Sequence, residues 1–564
     1  MSRGETQTEI RVPRFEKDGL YCVPLGGAGE IGMNATLYGT AGRWLLVDLG
    51  LMFGNERTSP GVDLILPDTT FIEERREALE GIVITHVHED HIGAVPYLIA
   101  DLECPVYASP FTAAFLRRKL QDEGVMDEVT IIEVPQNEAF RVGPFELELV
   151  STTHSTPEAS HLVVRTSRGT VFHTADWKND PEPLVGPPVD EDRLREIGDE
   201  GVLALVGDST NIFNKEPTGS EGEVRRSLIE LFGRLDKRIL VGCFASNIAR
   251  VESIAIAARE NGREVALVGR SLWRMVETAR SVGYLKDAPR FLTDEESAQL
   301  PRNRVVHICT GSQGEPRAAL RRIAMDAHPW VRLDSGDTVL FSSRVIPGNE
   351  RAVLDVQNEL ARKGVSLITA QDALIHVSGH PGAREVRALY EALRPQIVLP
   401  VHGEPMHLNE HAAEAHALGA RHVLEAFDGD VARLDVSPPS VVGRVFSGRL
   451  ALDGERLIPL ESELLRDRRK MAFSGSLVVS LLLDRKGHLR GEPAVSARGL
   501  LDPRDDDEDM DDLYQEIARI VAHAKPAERQ DDRLMAETVR IGVRRFFRIL
   551  QNRKPMVDVH VFRA

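Results

Sequence analysis

The chain has 564 residues, of which 42% are hydrophobic and 28% charged, which is ordinary for a soluble globular protein of about three or four domains. It lacks both a run of the about 20 apolar residues that a membrane span needs and an N-terminal hydrophobic signal region, so neither membrane insertion nor export is expected. The formal net charge of −18 argues against binding of nucleic acid over the whole surface, although a local basic groove is compatible with it.

Strand and helix patterns alternate over most of the chain. After a short polar extension at residues 1–18, this alternation predicts an α/β domain over 19–215. A second α/β stretch, 216–370, is expected to hold a parallel sheet, and 371–445 resume the first pattern, so the second domain is expected to be inserted into the first. The predicted elements are strands at Trp44–Leu49, Ile82–Thr85, Val171–Ala175, Val202–Val206, Ile239–Phe244, Val265–Val268, Val305–Cys309, Val339–Phe341 and Gln396–Val401, and a helix at Ile248–Asn261.

The C-terminal part has a different pattern. Residues 446–460 are predicted to be a linker and 461–564 a small α+β domain, with alternating strands at Phe473–Asp484 and Met556–Phe562. The acidic run Asp502–Asp512 is expected to be a solvated loop, because like charges repel. A basic cluster in the C-terminal domain is interpreted as a solvated helix face, with contact to RNA or to another subunit as alternatives. It consists of Arg540, Arg544, Arg545, Arg548, Arg553 and Lys554.

The segment His86–His91 carries the strongest chemical signal. It reads His-Val-His-Glu-Asp-His and follows an apolar strand, so it lies in the loop where that strand ends. These imidazole and carboxylate groups cannot all be buried in a core without polar partners or a metal ion. The first two histidines can converge on one ion, while Asp90 and His91 point to a neighbouring one, and this donor set suits Zn²⁺ or Mn²⁺. A polar surface loop that is rich in histidine by chance is the alternative.

This HxHxDH motif resembles the main ligand motif of the metallo-β-lactamase superfamily. The superfamily pattern includes a further histidine, a bridging aspartate and a final histidine on later loops, and His154, Asp176 and His402 match these positions. Asp48 matches an acidic motif whose expected role is to brace the ligand loop. The resemblance implies that His86, His88 and His154 hold one metal, that Asp90, His91 and His402 hold the other, and that Asp176 bridges them.

The long gap between Asp176 and His402 resembles the β-CASP insertion found in nucleic-acid-processing members of that superfamily. Its motifs match Asp208 in GDSTN, His380 in HVSGH, and His402, and a histidine at the third motif goes with RNA substrates in that group. The segments 24–34, 310–315 and 376–380 are similar to ribonuclease J. The implied fold is α/β: a metallo-β-lactamase αββα sandwich, an inserted α/β β-CASP domain and a small C-terminal α+β domain.

The resemblance implies a metal-dependent phosphodiesterase that hydrolyses RNA with a water activated by two divalent ions, Zn²⁺ or Mn²⁺. It implies 5′→3′ exonuclease activity on single strands, favouring 5′-monophosphate ends, with some endonuclease activity, in RNA maturation and mRNA decay. His380 is the candidate that stabilises the transition state or protonates the leaving oxygen, and its alternative is a hydrogen bond within a loop. Asp208 is expected to orient it, and Asp90 is a further catalytic candidate.

Two groups of residues are candidates for binding the substrate. The HVSGH segment offers side-chain and backbone donors for a phosphate: His376, Val377, Ser378, Gly379 and His380. A polar cluster after the strand Ile239–Phe244 is expected to bind the 5′ end of the RNA: Ser246, Asn247 and Arg250.

The cysteines and the family resemblance give the expected location and partners. The four cysteines (Cys22, Cys104, Cys243 and Cys309) lie far apart and predict reduced thiols in a cytoplasmic protein. The resemblance implies a homodimer or tetramer, and other RNA-decay proteins are candidate partners. Two other functions stay open. A small-molecule hydrolase such as a thiolesterase or lactonase is disfavoured by the inserted domain, and a noncatalytic RNA-binding scaffold is disfavoured by the complete ligand set.

Overall fold

The computed structural model describes residues 11–55, 58–502 and 504–564, so most of the expected extension at 1–18 lies outside the described residues. The chain divides into two compact units. One reaches to Met52 and continues over Leu66–Gly448, and the other comprises Phe53–Ile65 and Arg449–Ala564. None of the helices in the described ranges combines the length and the apolar composition that a membrane crossing requires.

Strands and helices alternate along most of the chain. The strands are β1 (Tyr21–Gly26), β2 (Ala35–Thr40), β3 (Arg43–Val47), β4 (Met52–Phe53), β5 (Leu64–Pro67), β6 (Leu79–Ile84), β7 (Val106–Ala108), β8 (Ile131–Glu133), β9 (Ala139–Val142), β10 (Phe145–Ser151), β11 (Ser160–Thr166), β12 (Gly169–His173), β13 (Ala204–Asp208), β14 (Ile239–Gly242), β15 (Glu264–Val268), β16 (Phe291–Leu292), β17 (Val305–Cys309), β18 (Thr338–Phe341), β19 (Ser366–Ile368), β20 (Ile397–Val401), β21 (His422–Val423), β22 (Asp430–Arg433), β23 (Ser440–Arg444), β24 (Arg449–Asp453), β25 (Arg456–Pro459), β26 (Ser476–Leu483), β27 (Ala494–Ser496) and β28 (Met556–Arg563). The helices are α1 (Thr70–Glu73), α2 (Glu89–Ile92), α3 (Val95–Leu102), α4 (Pro110–Glu123), α5 (Glu191–Glu200), α6 (Glu221–Gly233), α7 (Ile248–Glu260), α8 (Arg270–Ser281), α9 (Asp294–Ser297), α10 (Ala319–Ala324), α11 (Glu350–Arg362), α12 (Ala383–Leu393), α13 (Pro405–Ala417), α14 (Glu463–Ser474), α15 (Asp507–Ala522), α16 (Pro526–Gln530) and α17 (Asp532–Gln551).

Two large sheets form a sandwich in the first unit. Their strand orders are β23-β22-β1-β2-β3-β6-β7-β8 and β21-β20-β13-β12-β11-β10-β9. Aliphatic side chains of both sheets, such as Leu45, Val83, Leu149 and Leu399, share one buried cluster, and such burial is the main force that holds packed sheets together. Helices α5, α12 and α13 cover the outer face of the second sheet. This is the expected αββα arrangement.

The inserted residues form a sheet of their own, with the order β16-β15-β17-β14-β18-β19 and parallel pairing throughout. In the sandwich, β13 and β20 are parallel neighbours, with Asp208 opposite Val401. The chain therefore leaves the sandwich after β13, builds the inserted sheet and returns beside the strand it left. This confirms the insertion expected from the sequence.

The second unit contains two small sheets. The sheet β27-β26-β28 packs against α15 and α17 through a cluster that includes Leu481, Leu513, Ile517 and Val543. The other sheet has the order β25-β24-β5-β4.

The structure differs from the sequence-based expectation at three places in this unit. The expected linker 446–460 contains β24 and β25, which pair with each other, so it is part of a sheet. The second half of the acidic run forms the start of α15, where Asp507, Glu508 and Asp509 interact favourably with the positive end of the helix dipole. Phe473 belongs to α14, because the chain turns at Gly475 before β26 begins.

Candidate active site

The predicted metal ligands come together at one edge of the sandwich. Each of them follows the carboxyl end of a strand, and the ends of β10, β12, β13 and β20 lie at one edge because these strands run in the same direction in one sheet. His86, His88, Asp90 and His91 follow β6, His154 follows β10, Asp176 follows β12, and His402 follows β20, while Asp208 is the last residue of β13.

The backbone at this edge is tightly constrained. Asp48, Ala175 and His402 have positive φ angles of 59°, 48° and 52°, a conformation that is uncommon for residues other than glycine. The ligand loop also passes very close to Gly50, where an added Cβ would lie 1.7 Å from the carbonyl oxygen of Asp90. Only glycine fits there, and the backbone N–H groups of Leu49 and Leu51 on either side donate to the carbonyl oxygens of His91 and Glu89, so the segment after β3 fixes the position of the ligand loop.

Three histidines and one carboxylate oxygen form the first donor group. His88 Nδ1 lies 3.1 Å from His86 Nε2 and 2.9 Å from His154 Nε2. Asp176 Oδ2 lies 3.6 Å from the Nε2 atoms of both His86 and His154. These atoms are close enough to share one ion.

The second donor group uses the other oxygen of the same aspartate. Asp176 Oδ1 lies 3.1 Å from His91 Nε2 and 3.3 Å from His402 Nε2. Asp90 Oδ2 lies 3.6 Å from both of these nitrogens. The two oxygens of Asp176 therefore face two different groups, as a bridging ligand requires.

The chemistry of these groups fits divalent cations. Among the described residues, Asp176 Oδ1 and both ring nitrogens of His402 are buried without a hydrogen-bonding partner, although buried polar atoms are normally paired. Burial lowers the pKa of His88 to about 4 and, together with neighbouring histidines, holds the pKa of His86 and of His154 well below its usual range. The neutral imidazoles of this first group are in the protonation state that binds metal, whereas in the second group Asp176 outweighs burial and raises the pKa of His91 and of His402.

Asp48 braces the second donor group, as expected. Its carboxylate accepts a hydrogen bond from His91 Nδ1 at 2.7 Å, and two more from the backbone and side chain of Thr85. Because Nδ1 of His91 is the donor in this bond, its Nε2 offers a lone pair and lies 3.1 Å from both Asp176 Oδ1 and Asn34 Nδ2. Such a carboxylate partner fixes the orientation and tautomer of a metal-binding histidine.

The corresponding brace in the first group is a backbone carbonyl that the sequence did not reveal. His154 Nδ1 donates to the carbonyl oxygen of Gly379 at 2.6 Å. A Cβ added to Gly379 would lie 2.8 Å from the His154 ring, so this position requires glycine for packing against a candidate ligand. A main-chain acceptor leaves no residue-type signal, and for that reason it could not be predicted.

His380 and Asp208 lie directly beside both donor groups. His380 Nδ1 donates to Asp208 Oδ2 at 2.9 Å and lies 3.8 Å from Asp176 Oδ2. Burial alone would lower the pKa of His380, but the carboxylates of Asp208 and Asp176 raise it to about 9. Asn211, whose role was also missed, donates from Nδ2 to the carbonyl oxygen of His380 at 3.2 Å.

The other residues of the HVSGH segment differ in burial and in hydrogen bonding. Val377 is buried and contacts the turn at Gly219. The Ser378 hydroxyl stays within the loop, where it accepts from the backbone N–H of His380. His376 Nδ1 has no hydrogen-bonding partner in the described part of the chain, and burial, then Arg250 and Lys178, lower the pKa of His376 to about 3. The neutral ring of His376 thus has a free polar atom, and its contact with substrate stays a prediction.

The expectation that Arg250 binds the 5′ end of RNA is wrong. Its side chain is 0% exposed, and its guanidinium donates to both carboxylate oxygens of Glu221, to Ser342 and to the carbonyl oxygen of Ile375. It therefore holds the inserted domain against the loop that leads to His376. Asn247 is also buried and caps α7, whereas Ser246 is partly exposed and stays a candidate.

Arg250→Met is expected to lower the free energy of unfolding by about 3–5 kcal/mol, because it leaves the buried carboxylate of Glu221 unpaired. Urea denaturation of the two proteins measures this difference. Arg226→Met is the matched control: Arg226 also pairs with a glutamate, Glu182, but its side chain is 60% exposed, and such pairs contribute about 0–1 kcal/mol. Equal stability of the two variants would contradict the structural role of Arg250.

Comparison with known protein families covers most of the chain. Four family models match: the metallo-beta-lactamase superfamily at residues 28–242, the ribonuclease J beta-CASP domain at 236–360, the RNA specificity domain of Zn-dependent metallo-hydrolases at 370–424, and the ribonuclease J C-terminal domain at 463–564. A crystal structure of an Enterococcus faecalis protein of unknown function has a TM-score of 0.51 over 74% of this chain and all of its own, at 14% identity, which shows similarity of fold alone.

Curated relatives extend over nearly the full length. Ribonuclease J of Sinorhizobium meliloti is 44% identical over 96% of this chain and 97% of its own. Ribonuclease J of Mycolicibacterium smegmatis is 36% identical over 97% of each chain, and that of Thermus thermophilus is 37% identical over 83% of each. With this identity over both the catalytic and the C-terminal regions, and with the matching domain models, the chain belongs to the ribonuclease J family.

Proposed function

We propose that this chain, a metal-dependent ribonuclease of the ribonuclease J family, degrades single-stranded RNA from its 5′ end, prefers a 5′-monophosphate, and also cuts internally. The observation that carries the proposal is the position of Asp176, whose two oxygens face two donor groups, with His380 at 3.8 Å. Divalent metal ions are its cofactors, and we propose two per chain, Zn²⁺ or Mn²⁺. The proposed ligands are His86, His88, Asp90, His91, His154, Asp176 and His402.

The bound ions would supply electrostatic stabilisation of the phosphate and a water of lowered pKa. In hydrolysis a water oxygen forms a bond to phosphorus and the bond from phosphorus to O3′ breaks, which leaves a 5′-phosphate and a 3′-hydroxyl. His380 carries the proton that the departing O3′ needs, and Asp208 orients its ring and favours its protonated form. Asp90, whose side chain is 31% exposed, is the candidate acceptor for a proton of the water.

The loop from His376 to His380 is the proposed binding site for a substrate phosphate. Its backbone carbonyl at Gly379 already contacts His154, so a phosphate held by this loop would lie next to the donor groups. A phosphate bound there at the 5′ end would set the distance to the cleaved bond and explain a preference for 5′-monophosphate. Ser246 is a further candidate for this end of the RNA.

The remaining proposals concern assembly and location. We expect a homodimer or tetramer that cooperates with other RNA-decay proteins in the cytoplasm. Support for a reducing compartment comes from Cys22, Cys104, Cys243 and Cys309, which are all unpaired and buried. Membership of the ribonuclease J family removes the basis for the thiolesterase, lactonase and scaffold alternatives.

The proposal is tested with RNA labelled at one end and bearing a 5′-monophosphate, a 5′-triphosphate or a 5′-hydroxyl, incubated with Zn²⁺ or Mn²⁺. We expect the 5′-monophosphate RNA to release mononucleotides about tenfold or more faster than the 5′-triphosphate RNA. The reason is that a triphosphate is larger and more highly charged than the monophosphate for which the site is shaped. Internal cuts on the triphosphate RNA would report the endonuclease activity. Release of nucleotides from the 3′ end, or equal rates on all three ends, would contradict the proposed direction and preference.

A further inference from the structure

An exposed aromatic side chain lies close to the candidate active site. Phe213 is 45% exposed and follows β13 by five residues, in the same segment as Asp208. Its ring meets the ring of His407 edge-on, with a centroid distance of 5.3 Å and an interplanar angle of 63°. His407 lies in the first turn of α13, five residues after His402. Both rings therefore belong to segments that begin at residues of the site.

A cationic side chain lies in the same place. Arg344 is exposed, and its Nη1 donates to Asn211 Oδ1 at 2.8 Å, while Asn211 in turn donates to the carbonyl oxygen of His380. Burial lowers the pKa of His407, and Glu404 acts against it by raising the pKa. The positive charge of Arg344 lowers the pKa of His407 further, so it acts at close range. The guanidinium is thus near both the aromatic pair and the loop of His380.

This combination has the chemistry of a site for a single-stranded nucleic acid. Proteins bind single strands by stacking bases on aromatic rings and by placing cations along the backbone. An isolated exposed apolar residue needs no explanation, but Phe213 is backed by a second ring and accompanied by an exposed arginine on a chain whose net charge is −18. An exposed arginine beside the site offers a positive charge to a backbone phosphate.

We propose that Phe213, supported by His407, and Arg344 form a nucleotide-binding subsite of the RNA, in which one base stacks on the Phe213 ring and a neighbouring phosphate binds Arg344. This inference rests on the proposed function and names how the RNA is held beside the site of cleavage. The subsite is indifferent to base identity, because every base offers a flat face for stacking.

The first test measures cleavage kinetics on a 5′-monophosphorylated single-stranded RNA. Phe213→Ala is expected to raise KM about tenfold, with a much smaller change in kcat, because the lost stacking acts on binding. Phe213→Tyr keeps a ring and should keep KM near that of the wild type. Trp330→Ala is the matched control, since Trp330 is an aromatic residue of similar exposure, 43%, on the inserted domain.

The second test locates the stacked base. A series of RNAs carries one abasic residue, moved one position at a time from the 5′ end. For the wild type, KM should rise about tenfold when the abasic residue occupies the subsite, and for Phe213→Ala that same position should have no further effect. For Arg344→Gln, the slope of log KM against log salt concentration should fall by about 0.7, the value for one phosphate contact on a single strand.

The outcomes separate the two ideas. If wild-type protein cleaves RNA but Phe213→Ala and Trp330→Ala have the same KM, or if the abasic position matters equally in wild type and Phe213→Ala, the subsite is refuted and the ribonuclease proposal stands. If cleavage does not follow the proposed direction, fluorescence anisotropy of the same RNAs on the intact protein decides: a Phe213-dependent loss of affinity supports the subsite, and equal affinities overturn it.

Discussion

Asp176→Asn is expected to reduce RNA cleavage by about a thousandfold or more, because a single carboxylate serves both donor groups and removing its charge weakens two sites at once. Rates are measured under single-turnover conditions on 5′-monophosphorylated RNA, and metal content by elemental analysis of the purified protein. The bound metal should fall below that of the wild type. Asp192→Asn, at a side chain that is 90% exposed, is the control and should behave like the wild type.

Chelation should reproduce this loss in the wild type, and added Mn²⁺ or Zn²⁺ should restore cleavage. Metal bound to the folded state alone also stabilises it, so a chelator should lower the Tm of the wild type more than that of Asp176→Asn. Undiminished cleavage by Asp176→Asn, or by metal-free wild type, would remove the basis of the proposed site. An unfolded variant would be recognised by circular dichroism, and His88→Ala then replaces it, because His88 lies in the first group only.

His380→Ala is expected to lower kcat by about 10²–10⁴-fold while metal content and KM change little. The reason is that His380 touches Asp208 and Asp176 but lies outside the proposed ligand set, so its loss removes a proton donor and leaves the donor groups intact. His416→Ala, at an exposed histidine of α13, is the control.

The leaving group gives the sharper test of His380. An RNA in which sulfur replaces the bridging O3′ releases a thiolate, which needs no proton, so its cleavage should be slowed far less by His380→Ala than that of normal RNA. A variant equally impaired on both substrates would show that His380 does not protonate the leaving oxygen. Asp208→Asn should resemble His380→Ala in this comparison, because Asp208 acts through the His380 ring.

Much of the site could be predicted because its signals are local. His86, His88, Asp90 and His91 share one loop after an apolar strand, and that spacing already limits their roles. The more distant residues His154, Asp176 and His402 were found only through resemblance to a family. Residue types and spacing do not reveal that β10, β12 and β20 end at the same edge of a sandwich.

The predictions for Arg250 and for residues 446–460 were wrong because both depend on contacts between residues far apart in sequence. Arg250 follows a strand in a polar cluster, which suggests an exposed binding site, but its burial depends on Glu221, 29 residues before it, and on Ser342, 92 residues after it. The residues 446–460 have no strong strand pattern, yet they pair because β24 and β25 form a hairpin within a sheet that also includes β5. Tertiary partners of this sort outweigh local propensity.

Strand β13 precedes the inserted domain and β20 follows it, yet the two strands are neighbours in the sheet. This arrangement has a consequence for biosynthesis. During translation the ribosome releases His86, His88, His154 and Asp176 first, so one donor group is available before the inserted sheet exists. His380 and His402 emerge only after that sheet, and β20 must then find its place beside a strand made some 190 residues earlier. A half-made chain therefore lacks His380 and His402, two of the groups that the proposed cleavage requires, until the inserted sheet has been made.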